Sequence, residues 1–286
     1  MEKILVTGSS GFIGMHLCKS LLDEGYRVLG IDNMNDYYTP ALKETRLEQL
    51  SSYLNFNFIK TDIADQLAGV VSWGGYSDMG RILTFQMTGR HEWQGKEHTL
   101  TPDPYARWIV AGNYLPFVPE YREAQDVADA LLHLAFEAGN RRVSSLSPSY
   151  DPLLKELATK IAPERKELFE LFAPRSDQEI DIAAASRMAT RLTECATTVT
   201  PLLNPGPYLP KVLSEVHLFH GRTDSLIPYT ETLLAQTLLP QHRIASSTIT
   251  GLFEHSERGN RLSSVFQAFG EVTSLVRALN RVLGTV

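Results

Sequence analysis

Short aliphatic runs alternate with helical periodicity over the first sixty residues. Lys3–Thr7 reads as a brief apolar strand. From 12 to 24, Ile13, Leu17 and Leu21 recur at four-residue steps, the spacing of one helix face. Arg27–Asp32 (RVLGID) predicts a second strand, 40–50 a helix with a proline near its start, and 55–62 (NFNFIKTD) a third strand. This β-α-β-α-β rhythm with short connections predicts a parallel half-sheet.

At about residue 66 the texture changes. Gly69–Trp73 (GVVSW) is a fourth apolar strand, followed by GGYSDMG. A long segment from about 78 to 210 carries helical patterns without evident strands, among them 126–137, 153–161 and 177–194. NPGPYLP closes it with turn residues. Strands return at 215–220 and 243–250, with a helix at 229–238 between them. Near the C-terminus Val265, Phe269, Val272, Val276, Leu279 and Leu283 form a stripe at steps of four and three, predicted to be buried. The expected fold class is α/β: a doubly wound, mainly parallel sheet in a three-layer α/β/α arrangement with a large helical insertion. Residues 1–66 would supply a Rossmann-like half and 67–286 a second half. One continuous sheet of order 3-2-1-4-5-6 would unite them.

Composition narrows the function. The chain has 286 residues, 43% hydrophobic and 21% charged, as in ordinary globular proteins. A net charge of −6 speaks against nucleic acid as a partner. No run approaches the roughly 20 apolar residues of a membrane span. MEKILVTG enters a strand directly, which does not read as a signal peptide, so the expected location is cytoplasmic. Cys18 and Cys195 make no disulfide framework; Cys18 reads as a small buried apolar residue.

The turn after the first strand, ILVTGSSGFIG, carries the clearest chemistry. Gly8 permits a tight turn, Gly11 lets backbone approach a pyrophosphate, and Gly14 lets helix and strand pack closely. The following helix offers its N-terminal N–H groups to phosphate. Asp32 ends the second strand, where a carboxylate accepts ribose hydroxyls and disfavours a 2′-phosphate, so NAD is expected over NADP. These residues, with GIDNMNDYYTPALKETRLEQL and FIKTDIAD, resemble the extended short-chain dehydrogenases, most closely the UDP-glucuronate 4-epimerases, over residues 2 to 66. The resemblance implies NAD held by Gly8, Gly11, Phe12, Ile13 and Gly14, with Asp32 at the adenosine ribose, Asn33 also among the cofactor-binding residues, and Asp62 and Ile63 against the adenine. The family's Tyr-x-x-x-Lys pair, in which lysine lowers the tyrosine pKa for general-base work, is missing: no tyrosine here has lysine four residues on.

From about residue 67 the chain resembles the C-terminal part of an α/β-hydrolase. HGRTDSLIP looks like the acid loop, with Asp224 orienting a histidine, and GLFEHSE like the histidine loop, with His255 as general base. Residues 78–210 would be a lid. The G-x-S-x-G elbow is absent; Ser77 lies in G-x-S-x-x-G, and His220 reads as structural. Were the glycine loop to take the place of the elbow, Ser10 would be the candidate nucleophile. His91, Glu92 and His98 lack zinc spacing, and no metal is expected. Four readings stand: a nucleotide-binding hybrid without a complete catalytic set; a weak serine-type esterase using Asp224 and His255; a nucleotide-sugar epimerase remnant; and an engineered or rearranged chimera with no native activity. The expected partner is a small nucleotide or ester, with no nucleic acid or membrane.

Overall fold

Five elements build the first unit, Met1–Leu67, and the remainder the second, Ala68–Val286. The computed structural model describes residues 3–34, 40–61, 69–141, 143–251, 276 and 280–282. In the first unit β1 (Lys3–Thr7), α1 (Phe12–Asp23), β2 (Arg27–Asp32), α2 (Pro40–Ser51) and β3 (Phe56–Lys60) follow the expected rhythm. The three strands are parallel in the order β1-β2-β3, with Lys3 opposite Arg27 and Val28 opposite Phe56. Alternation sends Val6, Val28 and Phe56 into a core with Met15, Cys18 and Leu22 of α1 and Leu50 of α2. Each such aliphatic side chain contributes about 1.5–3 kcal/mol on leaving water. Burial pushes the Cys18 thiol up to about 11, which keeps it protonated and unreactive. The other strand parity carries Leu5 and Ile59, which stay 54% and 46% exposed.

The second unit holds its own parallel sheet, β4 (Gly69–Trp73), β7 (Glu215–Gly221) and β8 (Ile244–Thr250), in the order β4-β7-β8. Central β7 is buried from Val216 to Gly221, as a parallel strand flanked on both sides should be. Among the described residues, backbone hydrogen bonds thus assemble the six expected strands as two sheets of three. Between β4 and β7 come α3 (Met79–Thr88), α4 (Tyr105–Tyr114), α5 (Gln125–Arg141), α6 (Asp151–Thr159), α7 (Lys166–Phe172) and α8 (Ile182–Val199). They bury a helical core in which Leu83, Trp108, Leu131, Leu134, Phe169 and Phe172 are almost fully enclosed.

Three expectations change. The insertion is not purely helical: β5 (Arg90–Trp93) and β6 (Lys96–Thr99) form an antiparallel hairpin, turned by Gln94 and Gly95, both at positive φ (51° and 78°). The helix expected from 177 starts at Ile182, because Asp181 caps it by accepting from the backbone N–H groups of Ala183 and Ala184. Of the C-terminal stripe only Val276 lies among the described residues; it is helical but 49% exposed, so burial of the stripe does not hold there. The last connecting helix, α9 (Thr230–Leu238), leads into β8.

Candidate functional site

The glycine loop closes on itself immediately after β1. Gly8 sits at φ +65°, where a side chain is strained, and its carbonyl accepts from Gly11 N–H at 2.9 Å. A Cβ on Gly14 would stand 2.1 Å from the Gly8 carbonyl oxygen, so α1 reaches this close to the loop only because Gly14 has none. Gly11 is the extended N-cap of α1 and no side chain caps the helix, which leaves N-terminal N–H groups for an anion. Ser9 and Ser10 are fully buried, and their hydroxyls have no partner among the described residues. A backbone cradle of this form with orphaned hydroxyls fits a dinucleotide pyrophosphate. Phe12 and Ile13 lie in the first turn of α1.

Asp32 at the end of β2 is tied to that loop. Its Oδ2 accepts from Ser10 N–H at 3.1 Å, and its Oδ1 from Met34 N–H at 2.8 Å. The Oδ1 atom also takes the Lys43 ammonium at 3.1 Å, the two side chains being 4% and 5% exposed. Lys43, in the first turn of α2, is the site residue that the sequence reading missed. Its signal was a lysine at the helix end where the dipole disfavours a cation. Asn33, which follows Asp32 in the chain, is exposed. Asp62 and Ile63, assigned to the adenine, lie outside the described residues, as does His255.

In the second unit Asp224 is buried in the loop after β7. Its Oδ1 accepts from Leu226 and Ile227 N–H at 2.9 and 3.0 Å, and its Oδ2 lies 3.6 Å from His220 Nε2. His220 contacts Thr232 Oγ1 at 2.6 Å and donates from Nε2 to the Ile227 carbonyl at 2.8 Å, in keeping with a structural histidine. Ser77 donates its hydroxyl to the Glu231 carbonyl at 3.0 Å and is buried, which suits an anchor better than a nucleophile. Glu231 itself is fully buried, with Oε1 2.6 Å from Arg81 Nε and Oε2 accepting from Ser77 and Asp78 N–H at 3.0 Å each.

Sequence spacing also passed over an aromatic cluster on the hairpin. The His91 and His98 rings stack with centroids 5.2 Å apart, both meet Tyr229 edge-on, and His91 Nδ1 lies 3.1 Å from Thr230 Oγ1. Burial, then the nearby His98 and Arg81, pushes the His91 pKa down to about 4, so it is neutral at pH 7. Among the described residues no group of three or more metal-ligating side chains converges, and no helix is long and apolar enough to cross a membrane.

Comparison with known proteins places the likeness at the glycine loop. The family profile described as GDP-mannose 4,6 dehydratase matches residues 5–71. A protein of Methanocaldococcus jannaschii is 58% identical over 66 residues, 22% of this chain and 20% of its own length. UDP-glucuronate 4-epimerase from Thermodesulfobacterium geofontis is 49% identical over 65 residues, 23% of this chain and 20% of its own. A crystal structure of a UDP-glucuronic acid 4-epimerase mutant from Bacillus cereus, in complex with UDP-4-deoxy-4-fluoro-glucuronic acid and NAD, is 38% identical over 25% of each chain, with a TM-score of 0.21. An α/β-hydrolase from a Medee basin deep-sea metagenome library covers 91% of this chain and 71% of its own at 15% identity and a TM-score of 0.22, too low to carry an inference. The chain spans about a fifth of the length of the curated relatives it matches. The N-terminal region is therefore similar to the epimerase and dehydratase family, and the match ends at residue 71.

Proposed function

We propose that the first unit is a nucleotide-binding half of epimerase type that takes NAD, joined near residue 67 to an α/β unit of separate origin, and that the chain lacks a complete catalytic set. The observation that carries the binding reading is the cradle itself. Gly8 and Gly14 bring an uncapped helix N-terminus and buried, unpartnered serine hydroxyls to one turn, with Asp32 hydrogen-bonded to it. The join is supported by two independent boundaries, the end of the family match at 71 and the division between units at Leu67 and Ala68. Absence of Tyr-x-x-x-Lys supports binding without epimerisation. An esterase finds less support, since Asp224 Oδ1 is engaged by its own loop and the sequence has no G-x-S-x-G elbow.

Titration calorimetry with NADH tests this. Binding is expected in the high micromolar range, because the epimerase half beyond residue 71, which holds the remaining cofactor contacts, has no counterpart in the match. Asp32→Asn should weaken it several-fold. Absence of heat at millimolar NADH would refute the reading, and ester turnover abolished by His255→Ala would restore the hydrolase alternative.

A further inference from the structure

We propose that the β5–β6 hairpin is an acid-sensitive flap: protonation of its paired histidines, His91 and His98, releases it from α9 and opens the cavity it walls. Of residues 90–99 only His91, Trp93 and His98 are partly buried, and the rest are exposed. The two histidines stand directly opposite each other in the ladder, and their rings stack at 5.2 Å. Both meet Tyr229, the N-cap of α9, edge-on at 5.7 and 6.0 Å. His91 also meets Phe85 of α3 edge-on at 5.6 Å, and its Nδ1 lies 3.1 Å from Thr230 Oγ1. The hairpin thus docks through two ionisable rings, where an apolar pair would serve packing alone. With Arg81 and Thr84 of α3 and Arg90, Glu92 and Glu97 of the hairpin, His91 lines a cavity of about 480 Å3, so the flap is one of its walls.

Protonation is what this arrangement resists. Two imidazolium rings stacked at 5.2 Å repel each other, and a half-buried ring is a poor place for a charge. The surrounding groups give no relief. Strand alternation puts Arg90, Glu92 and Glu97 on the other face of the hairpin, and Lys96 on the same face as His98. From α3, Arg81 adds a cation, while Asp78 caps the helix by accepting from Arg81 N–H at 2.9 Å. From α9, the Glu231 carboxylate is taken by Arg81 Nε and by the Ser77 and Asp78 N–H groups. Burial, then His98 and Arg81, hold the His91 pKa at about 4, against 6.5 for a free ring. A released hairpin therefore binds a proton that the docked one refuses. Docking is complete above about 6.5 and weakens as pH falls toward 4.

Hydrogen exchange on the full chain at about pH 7 and pH 5, corrected for the intrinsic pH dependence of amide exchange, tests the flap. A two-stranded hairpin is marginal by itself, so release opens its ladder to exchange. Protection of peptides from 89–100 should fall about tenfold at the lower pH, while peptides from α8 stay protected. The double variant His91→Phe, His98→Phe keeps two stacked rings without a charge and should hold its protection at both pH values. Should it fail to fold, His98→Gln leaves one ring to protonate and should shrink the fall to about threefold. Equal protection of the wild-type hairpin at both pH values would overturn the inference, as would a tenfold fall that persists in the double variant. Loss of protection in α8 to the same extent as in the hairpin would overturn it too, since the whole unit would then be unfolding and no flap released.

Discussion

Gly14→Ala is the substitution that most directly tests how the loop is built. The new Cβ would stand 2.1 Å from the Gly8 carbonyl oxygen, 2.7 Å from its carbon and 3.0 Å from Ser9 Cα. Ordinary contact at 3.4 Å requires a retreat of about 1.3 Å, the difference between 3.4 and 2.1, and every obstructing atom is backbone. Overpacking of this kind costs about 1–3 kcal/mol or more, against about 1 kcal/mol gained from the helix preference of alanine over glycine. Because every obstructing atom is backbone the upper end applies, about 3 kcal/mol, and the net loss of about 2 kcal/mol is a large part of what a unit of this size holds, about 3–10 kcal/mol. Gly8→Ala gives the contrast: its Cβ meets nothing within 4 Å, so only the strain at φ +65° remains, about 1–2 kcal/mol. Hydrogen exchange read on peptides from residues 3–34 measures the first unit directly. The tryptophans, Trp73, Trp93 and Trp108, all lie in the second unit and their fluorescence serves as an internal control. Gly14→Ala should raise exchange in 3–34 more than Gly8→Ala does, with the tryptophan signal unmoved. Equal protection in Gly14→Ala and wild type would refute the close packing of α1 on the loop.

Two further outcomes concern the second unit. His91 is held below its ordinary 6.5, at about 4, so the fold favours the neutral ring; stability is complete above about 6.5 and is lost as pH falls toward 4. The ceiling is about 3 kcal/mol, about half that after screening of a half-buried ring. His91→Gln should flatten urea stability between pH 4 and 7, and parallel wild-type and variant profiles would count against the assignment. Glu231→Ala leaves Arg81 Nε and two backbone N–H groups without their acceptor and should destabilise the second unit by about 3 kcal/mol, seen as a lower urea midpoint in tryptophan fluorescence.

The elements of the first unit were legible because each follows from local rules. Strand runs, a four-residue helical step and the G-x-x-G-x-x-G spacing all concern neighbours in sequence. The Asp32–Lys43 pair was not, since it depends on where α2 lays its first turn against the end of β2. The hairpin at 90–99 was hidden for another reason. RHEW and KEHT are mostly polar, and only the Gln-Gly turn marks them as strands. Glu231 carries no sequence signal at all: a glutamate in the first turn of a helix reads as solvated, yet Arg81, 150 residues away, draws it into full burial. Long-range ion pairs are where reading from the sequence runs out.

That difference between local and long-range construction also bears on why a phosphate cradle can persist apart from the chemistry it normally serves. The contacts described for the loop come from β1, α1 and β2: the Gly8 carbonyl against Gly14, Ser10 N–H on the Asp32 carboxylate, and Ser9 N–H on the Ile31 carbonyl at 3.2 Å. Those elements span thirty consecutive residues and share one small core around Cys18 and Val28. A general-base tyrosine lowered by a nearby lysine needs groups set over the nicotinamide by later elements of the family fold, and this chain has no Tyr-x-x-x-Lys to supply them. On the proposed reading, a cradle built from a helix terminus and its neighbours in sequence can form without the later elements, whereas a general base set over the nicotinamide cannot. The same logic sets the affinity expected on the proposed reading: the family match that covers the loop ends at residue 71, so the dinucleotide should be held mainly by the loop and bind weakly.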